Sequence, residues 1–173
     1  MEANDFIQHT LAWCKGEIFE GKMLLLYGVG IIIAAIFFWK VGTTPYAKSL
    51  FIPFLIVGAL VGIVGTTLIT SNLKHIPKFQ TEFAENADKF VKEEKKRTDI
   101  FISWYPKTMW ILVVIAVIGL VSYAMTASPL PTAISLACIL MCFSFLMVDH
   151  FSKERAAVYA SHISSELNKR SLE

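Results

Sequence analysis

The chain has 173 residues, of which 55% are apolar and 17% charged, and its formal net charge is +2. Soluble domains average about 45–50% apolar and about a quarter charged, so this composition suits a nonpolar solvent. The near-neutral balance lacks the basic footprint on which nucleic-acid binding rests, and no nucleic-acid partner is expected. The length fits a single membrane domain, residues 1–173.

The first element is an amphipathic helix over residues 3–20. Ile7, Leu11, Cys14 and Ile18 recur at helical spacing as one narrow stripe. Asp5, His9 and Glu20 lie off that stripe. A helix resting on lipid wants a basic polar face, and this one is acidic, so the stripe is expected to pack on its own protein. Residues 23–39 carry no charge and read as the first membrane span, since about 20 helical residues cross a hydrocarbon core of about 30 Å. Glu17 and Glu20 precede this span, and bulky "FFWKVG" follows it in place of a small-residue cleavage site. It is therefore expected to be retained and not removed as a secretory leader.

The second span covers residues 50–70. Its "GALVGIVGTT" places Gly58 and Gly62 as a GxxxG, with Gly65 extending the small face. Such faces let helix backbones approach closely, within one subunit or between subunits. Thr66, Thr67 and Thr70 follow, and their hydroxyls suit helix bonding or the polar lining of a passage.

A connection of residues 78–105 comes next, too long to be structureless. Phe79, Phe83, Ala87 and Phe90 recur every three or four residues, which predicts a helix. Pro77 is expected to start it and Pro106 to mark its end. Acid-first pairs four residues apart, Glu85–Lys89, Asp88–Lys92 and Glu93–Arg97, would support it. "EEKKR" within it reads as a salt-bridged outer face.

Residues 108–148 are again free of charge, at twice the length of one span. "TASPLPT" divides them into spans 108–125 and 132–148 around a tight turn. No Gly or Pro follows Thr132, so the fourth helix is expected to continue as an extension over residues 149–170, with Ala156, Ala160, Ile163 and Leu167 as a second stripe.

Of the 16 Lys and Arg, all but Lys40 and Lys48 fall in the segments that share a side with residues 1–22. The positive-inside bias then places both termini in the cytoplasm and the protein in the cytoplasmic (inner) membrane. Trp39 marks one border and Trp104, Tyr105 and Trp110 the other, as an aromatic belt would. The expected fold is all-α, a four-transmembrane-helix bundle with cytoplasmic helical extensions.

The spans contain no Asp, Glu, Lys, Arg or His, which counts against ion-coupled transport and leaves a pore open. Ser135, Cys138 and Cys142 share a face of the fourth span, where Cys packs as an ordinary apolar residue. No HxxxH, CxxC, HExxH, GxSxG or GxxxxGK[ST] occurs, so no metal site, cofactor or hydrolase motif is expected.

One pairing remains. Arg155 and His162 stand in "SKERAAVYASH" with six residues between them. It resembles the R-x(4–6)-H signature of HEPN ribonucleases, helical enzymes that build their site across a dimer. That resemblance implies His162 as general acid or base and Arg155 as phosphate stabiliser. It covers eight residues, and Ala156 stands where the family usually carries a polar side chain. Seven residues is also two helical turns, so an exposed stripe with Lys169 produces the same pair. The multi-span format further resembles the small accessory membrane proteins of type VI-B CRISPR systems, one kind of which carries a HEPN-like motif and assembles into a pore. The residues themselves favour a non-enzymatic, homo-oligomeric scaffold that presents a cytoplasmic bundle to itself or to a protein partner. A pore and a membrane-tethered ribonuclease are the alternatives.

Overall fold

The computed structural model describes residues 3–172, all in helices or the short turns between them. Four long helices and one short one follow in order: α1 (Ala3–Val41), α2 (Pro45–Ser49), α3 (Phe51–Glu85), α4 (Ala87–Met125) and α5 (Pro129–Arg170). Each long helix contains one predicted span and is long and apolar enough to cross a membrane. The fold is the expected all-α four-helix bundle, and the chain is built as an integral membrane protein.

The long helices outreach the hydrocarbon. At about 1.5 Å per residue α5 is about 63 Å long, twice a core of about 30 Å. The excess gathers at one end with the α3–α4 junction, here called the polar end. Residues 3–20 and 23–39 form one unbroken helix. Ile7, Leu11, Cys14 and Ile18 are all buried, so the stripe packs on protein as expected.

The connection between the second and third spans departs from expectation. It is not one helix bounded by prolines: α3 runs through Pro77 and α4 through Pro106. The break falls at Asn86, whose backbone is extended (φ −157°, ψ 93°). Its side-chain oxygen accepts from Lys89 N at 2.9 Å and so caps α4. Each internal proline forgoes a backbone hydrogen bond, at about 3 kcal/mol, and packing must offset this. Beside the break, Phe79 and Phe83 each meet Phe90 across it, at centroid separations of 5.6 and 5.7 Å.

The anticipated charge pairs re-form as well. Arg97 turns to Glu94 at 2.6 Å and Asp88 reaches Arg170 on α5. Glu94 is buried, so "EEKKR" is not wholly an outer face. The lure for Glu94 is tertiary: Tyr159 of α5 donates to it at 2.8 Å.

At the other end, Thr44 caps α2 by accepting from Ala47 N at 3.2 Å. Ser49 Oγ donates to Pro129 O at 2.9 Å and Tyr46 OH donates to Ala127 O, which ties the α1–α3 hairpin to the α4–α5 turn. α5 starts at Pro129, three residues ahead of the predicted span, because proline suits the first helical turn.

Within the membrane α1 packs against α3 backbone to backbone. A Cβ on Gly21 would lie 2.7 Å from Gly65 O, and one on Gly28 would lie 2.7 Å from Gly58 O. Reciprocally, a Cβ on Gly65 would stand 2.6 Å from Gly21 O, and one on Gly58 would stand 2.8 Å from Gly28 O. Two glycines seven residues apart on each antiparallel helix therefore meet in register. The predicted small face is thus an intrachain contact. Gly62 takes part through its backbone, 2.7 Å from a Cβ on Gly28, while its own Cβ would meet only Leu25 Cδ1 at 3.9 Å.

Candidate functional site

The side chains with chemical capacity converge at the polar end. α1, α4 and α5 bring polar groups inward there, in two tiers. The tier nearer the membrane joins α1 to α5. Arg155 donates Nη2 to Glu17 at 2.9 Å and Nη1 to Glu20 at 2.6 Å. Ser152 Oγ donates to the same Glu17 oxygen at 3.0 Å. With its proton so used, Ser152 accepts from Tyr105 OH of α4 at 2.8 Å. Thr108 Oγ1 donates to Asp149 at 2.7 Å, again linking α4 to α5.

The outer tier centres on Tyr159. Its hydroxyl donates to Glu94 Oε2 at 2.8 Å and receives Thr10 Oγ1 at 2.9 Å. Arg97 grips Glu94 with Nε at 2.8 Å and Nη2 at 2.6 Å. The same guanidinium lies over the rings of Trp13 at 4.7 Å and Phe79 at 5.1 Å. Trp13 stacks on Tyr159 at 5.5 Å. Around this network Phe6, Ile7, Leu11, Cys14, Phe90 and Ile163 form the apolar core.

Burial tunes these groups. It raises the Tyr159 and Tyr105 phenols well above their ordinary value, which keeps both hydroxyls protonated donors. The Cys14 thiol is pushed up to about 11 by burial, so it stays an inert thiol at neutral pH. Burial also raises Glu20, and the hydrogen bond and charge of Arg155 only partly reverse this. Arg155 is pulled down by burial, but Glu20 and Glu17 more than restore it and hold it charged. Among described side chains, Glu20 Oε2, Arg155 Nε, Trp13 Nε1 and Asn72 Oδ1 are buried without a hydrogen-bond partner.

The two residues of the HEPN-like pair border one groove of about 290 Å³, together with His9, Trp13 and Tyr159. They do different things in it. Arg155 points its guanidinium nitrogens at the α1 carboxylates, while His162 stacks on His9 with ring centroids 3.7 Å apart. Burial and the neighbouring His9 both lower the His162 pKa.

Thr66, Thr67 and Thr70 lie on the open α1–α3 face, beside Gly58 and Gly62, along a groove of about 380 Å³. Each hydroxyl donates to a carbonyl of its own helix at 2.9 Å. Cys138 and Cys142 are free thiols. Among the described residues no group of three or more His, Cys, Asp or Glu is placed to hold a metal ion.

Reading the sequence alone missed Glu17, Glu20, Glu94 and Tyr159 as a network, and Gly21 and Gly28 as half of the close contact. The seven-residue spacing on both helices was the available signal for the glycines. Comparison of the chain with protein-family models, curated proteins and solved structures finds no match in any of the three.

Proposed function

We propose that the chain is a non-enzymatic scaffold that forms a homo-oligomer in the cytoplasmic (inner) membrane. Its polar-end bundle, on the cytoplasmic side, is the part offered to a protein partner. The observation that carries this reading is where the guanidinium groups go. Arg155 holds Glu17 and Glu20, Arg97 holds Glu94, and Arg170 holds Glu166 and Asp88. Arg155 thereby ties α5 to α1 and Arg170 ties it to α4, and all three guanidinium groups are already engaged when a phosphate arrives. Assembly is supported by α4, whose most apolar window is 6% buried within the chain against 22–28% for the other three helices. The lysine and arginine bias supports the cytoplasmic assignment. The test is the particle mass in mild detergent together with planar-bilayer recording. A discrete oligomer without conductance is expected, and a monomer would overturn the reading.

A pore is the second reading, and the threonine groove supports it. Copies meeting at that face would line a passage with the oxygens of Thr66, Thr67 and Thr70. It also suits the CRISPR-accessory format that the chain resembles. Steady conductance abolished by replacing the three threonines with valine would establish it. The ribonuclease reading draws on the shared groove of Arg155 and His162. It requires RNA cleavage by the oligomer that disappears in His162→Ala; an inactive wild-type oligomer removes it.

A further inference from the structure

A third groove runs along the membrane face between α1 and α5, with a volume of about 730 Å³. That is within the range of small-ligand sites, about 300–1,000 Å³. Tyr27, Gly30 and Ala34 form one wall and Phe143 and Met147 the other, with Phe54 behind. From Met23 to Ala34 the wall rises about 16 Å at about 1.5 Å per residue, close to one leaflet of a core about 30 Å thick. The walls belong to charge-free spans, so hydrocarbon is the medium that meets them.

Gly30 is the telling residue on this wall. Of the α1 and α3 glycines named above, Gly21, Gly28, Gly58 and Gly65 press on a neighbouring helix and Gly62 meets Leu25 Cδ1 at 3.9 Å, whereas a Cβ on Gly30 would find nothing within 4 Å. Glycine inside a helix weakens it relative to alanine, and here no packing partner explains the choice. The missing side chain instead deepens the groove.

At its polar end the groove opens into a second hollow of about 350 Å³, which shares Met23, Met147 and Val148 with it. Glu20 and Arg155 line this mouth. The Glu20 side chain is only 7% exposed. One of its oxygens takes Arg155 Nη1, and the other, Oε2, is buried without a partner. A buried, unpartnered carboxylate oxygen is costly, and a donor supplied by the occupant would relieve it.

We infer that this groove binds one aminophospholipid of the phosphatidylethanolamine type, from the leaflet at the polar end. An acyl chain lies along Tyr27, Gly30 and Ala34. The head-group ammonium donates to Glu20 Oε2 at the mouth of the groove. The inference rests on membrane residence alone and is independent of the scaffold, pore and nuclease readings.

The test is native mass spectrometry of the detergent-purified protein titrated with phosphatidylethanolamine, phosphatidylcholine and phosphatidylglycerol of identical acyl chains. One phosphatidylethanolamine per chain is expected, held about tenfold more tightly than phosphatidylcholine, whose quaternary nitrogen has no N–H. Gly30→Leu fills the notch and is expected to weaken that binding about tenfold, with helix content and elution volume unchanged. Glu20→Gln is expected to erase the preference for the ethanolamine head. Equal binding of all three lipids to the unmodified protein, or tighter phosphatidylglycerol binding, would overturn the head-group assignment. Undiminished lipid binding by Gly30→Leu would overturn the groove.

Discussion

The same helices are held by different chemistry in their two halves. In the membrane half, α1 and α3 touch through Gly21, Gly28, Gly58 and Gly65. At the polar end, contacts run through rings and ions: Phe6, Trp13, Phe79 and Phe90 around Tyr159, then Glu94 with Arg97 and Glu17 with Arg155. The contrast follows from the solvent. Lipid tails are as apolar as leucine, so burying leucine between helices gains little there, and close backbone approach has to supply the attraction. In water, apolar burial drives association, and directional pairs then select which faces meet. A glycine substitution and an ion-pair substitution should therefore damage separate halves.

The largest effect is expected at the polar end. Arg155→Met leaves Glu17 and Glu20 buried opposite no cation, which should cost about 3–5 kcal/mol in detergent unfolding. Adding Glu17→Gln and Glu20→Gln to that variant should recover most of the loss. Failure to recover would mean that Arg155 acts through packing and not through charge.

Next come the membrane glycines. Gly65→Leu drives a side chain into the α1 backbone and should cost about 1–3 kcal/mol, whereas Gly62→Ala, whose Cβ makes only an ordinary contact with Leu25 Cδ1 at 3.9 Å, should stay within about 0.5 kcal/mol. Equal effects at the two positions would erase the distinction between tight and open faces. Tyr159→Phe removes the donor to Glu94 and should cost about 1–2 kcal/mol, with the membrane half unaffected in cysteine-accessibility measurements at Cys142.

The smallest effect is a pH dependence from Glu20. Its folded pKa lies above the ordinary glutamate value, so the folded state holds a proton that the unfolded state has released. Stability from this group therefore falls as pH rises from the ordinary glutamate range through the raised value. Unfolding midpoints measured across that window should show the slope, and Glu20→Gln should flatten it.

Much of the fold was legible because spans are local. Charge-free stretches announce themselves residue by residue, and the stripe of Ile7, Leu11, Cys14 and Ile18 showed which face of α1 would be covered. The helix break was not legible. Proline is a strong local signal at Pro77 and Pro106, yet aromatic packing around Phe79 and Phe90 overrides it, and the unremarkable Asn86 carries the cap. The site was legible only in fragments. Arg155 was visible as half of a spaced pair with His162, but its partners lie 135 and 138 residues away on α1.

By itself the amino-acid order determined the solvent and the element type: four apolar helices, a turn at "TASPLPT", and charge collected at one end. These follow from transfer free energies and periodicity, which each short stretch carries independently of the rest. Tertiary structure alone decided which faces meet, that Gly28 opposes Gly58, and that Arg155 answers Glu17 and Glu20 and not its neighbour along the helix. Those choices depend on shape and charge matching between segments far apart in the chain, and no single segment contains that information.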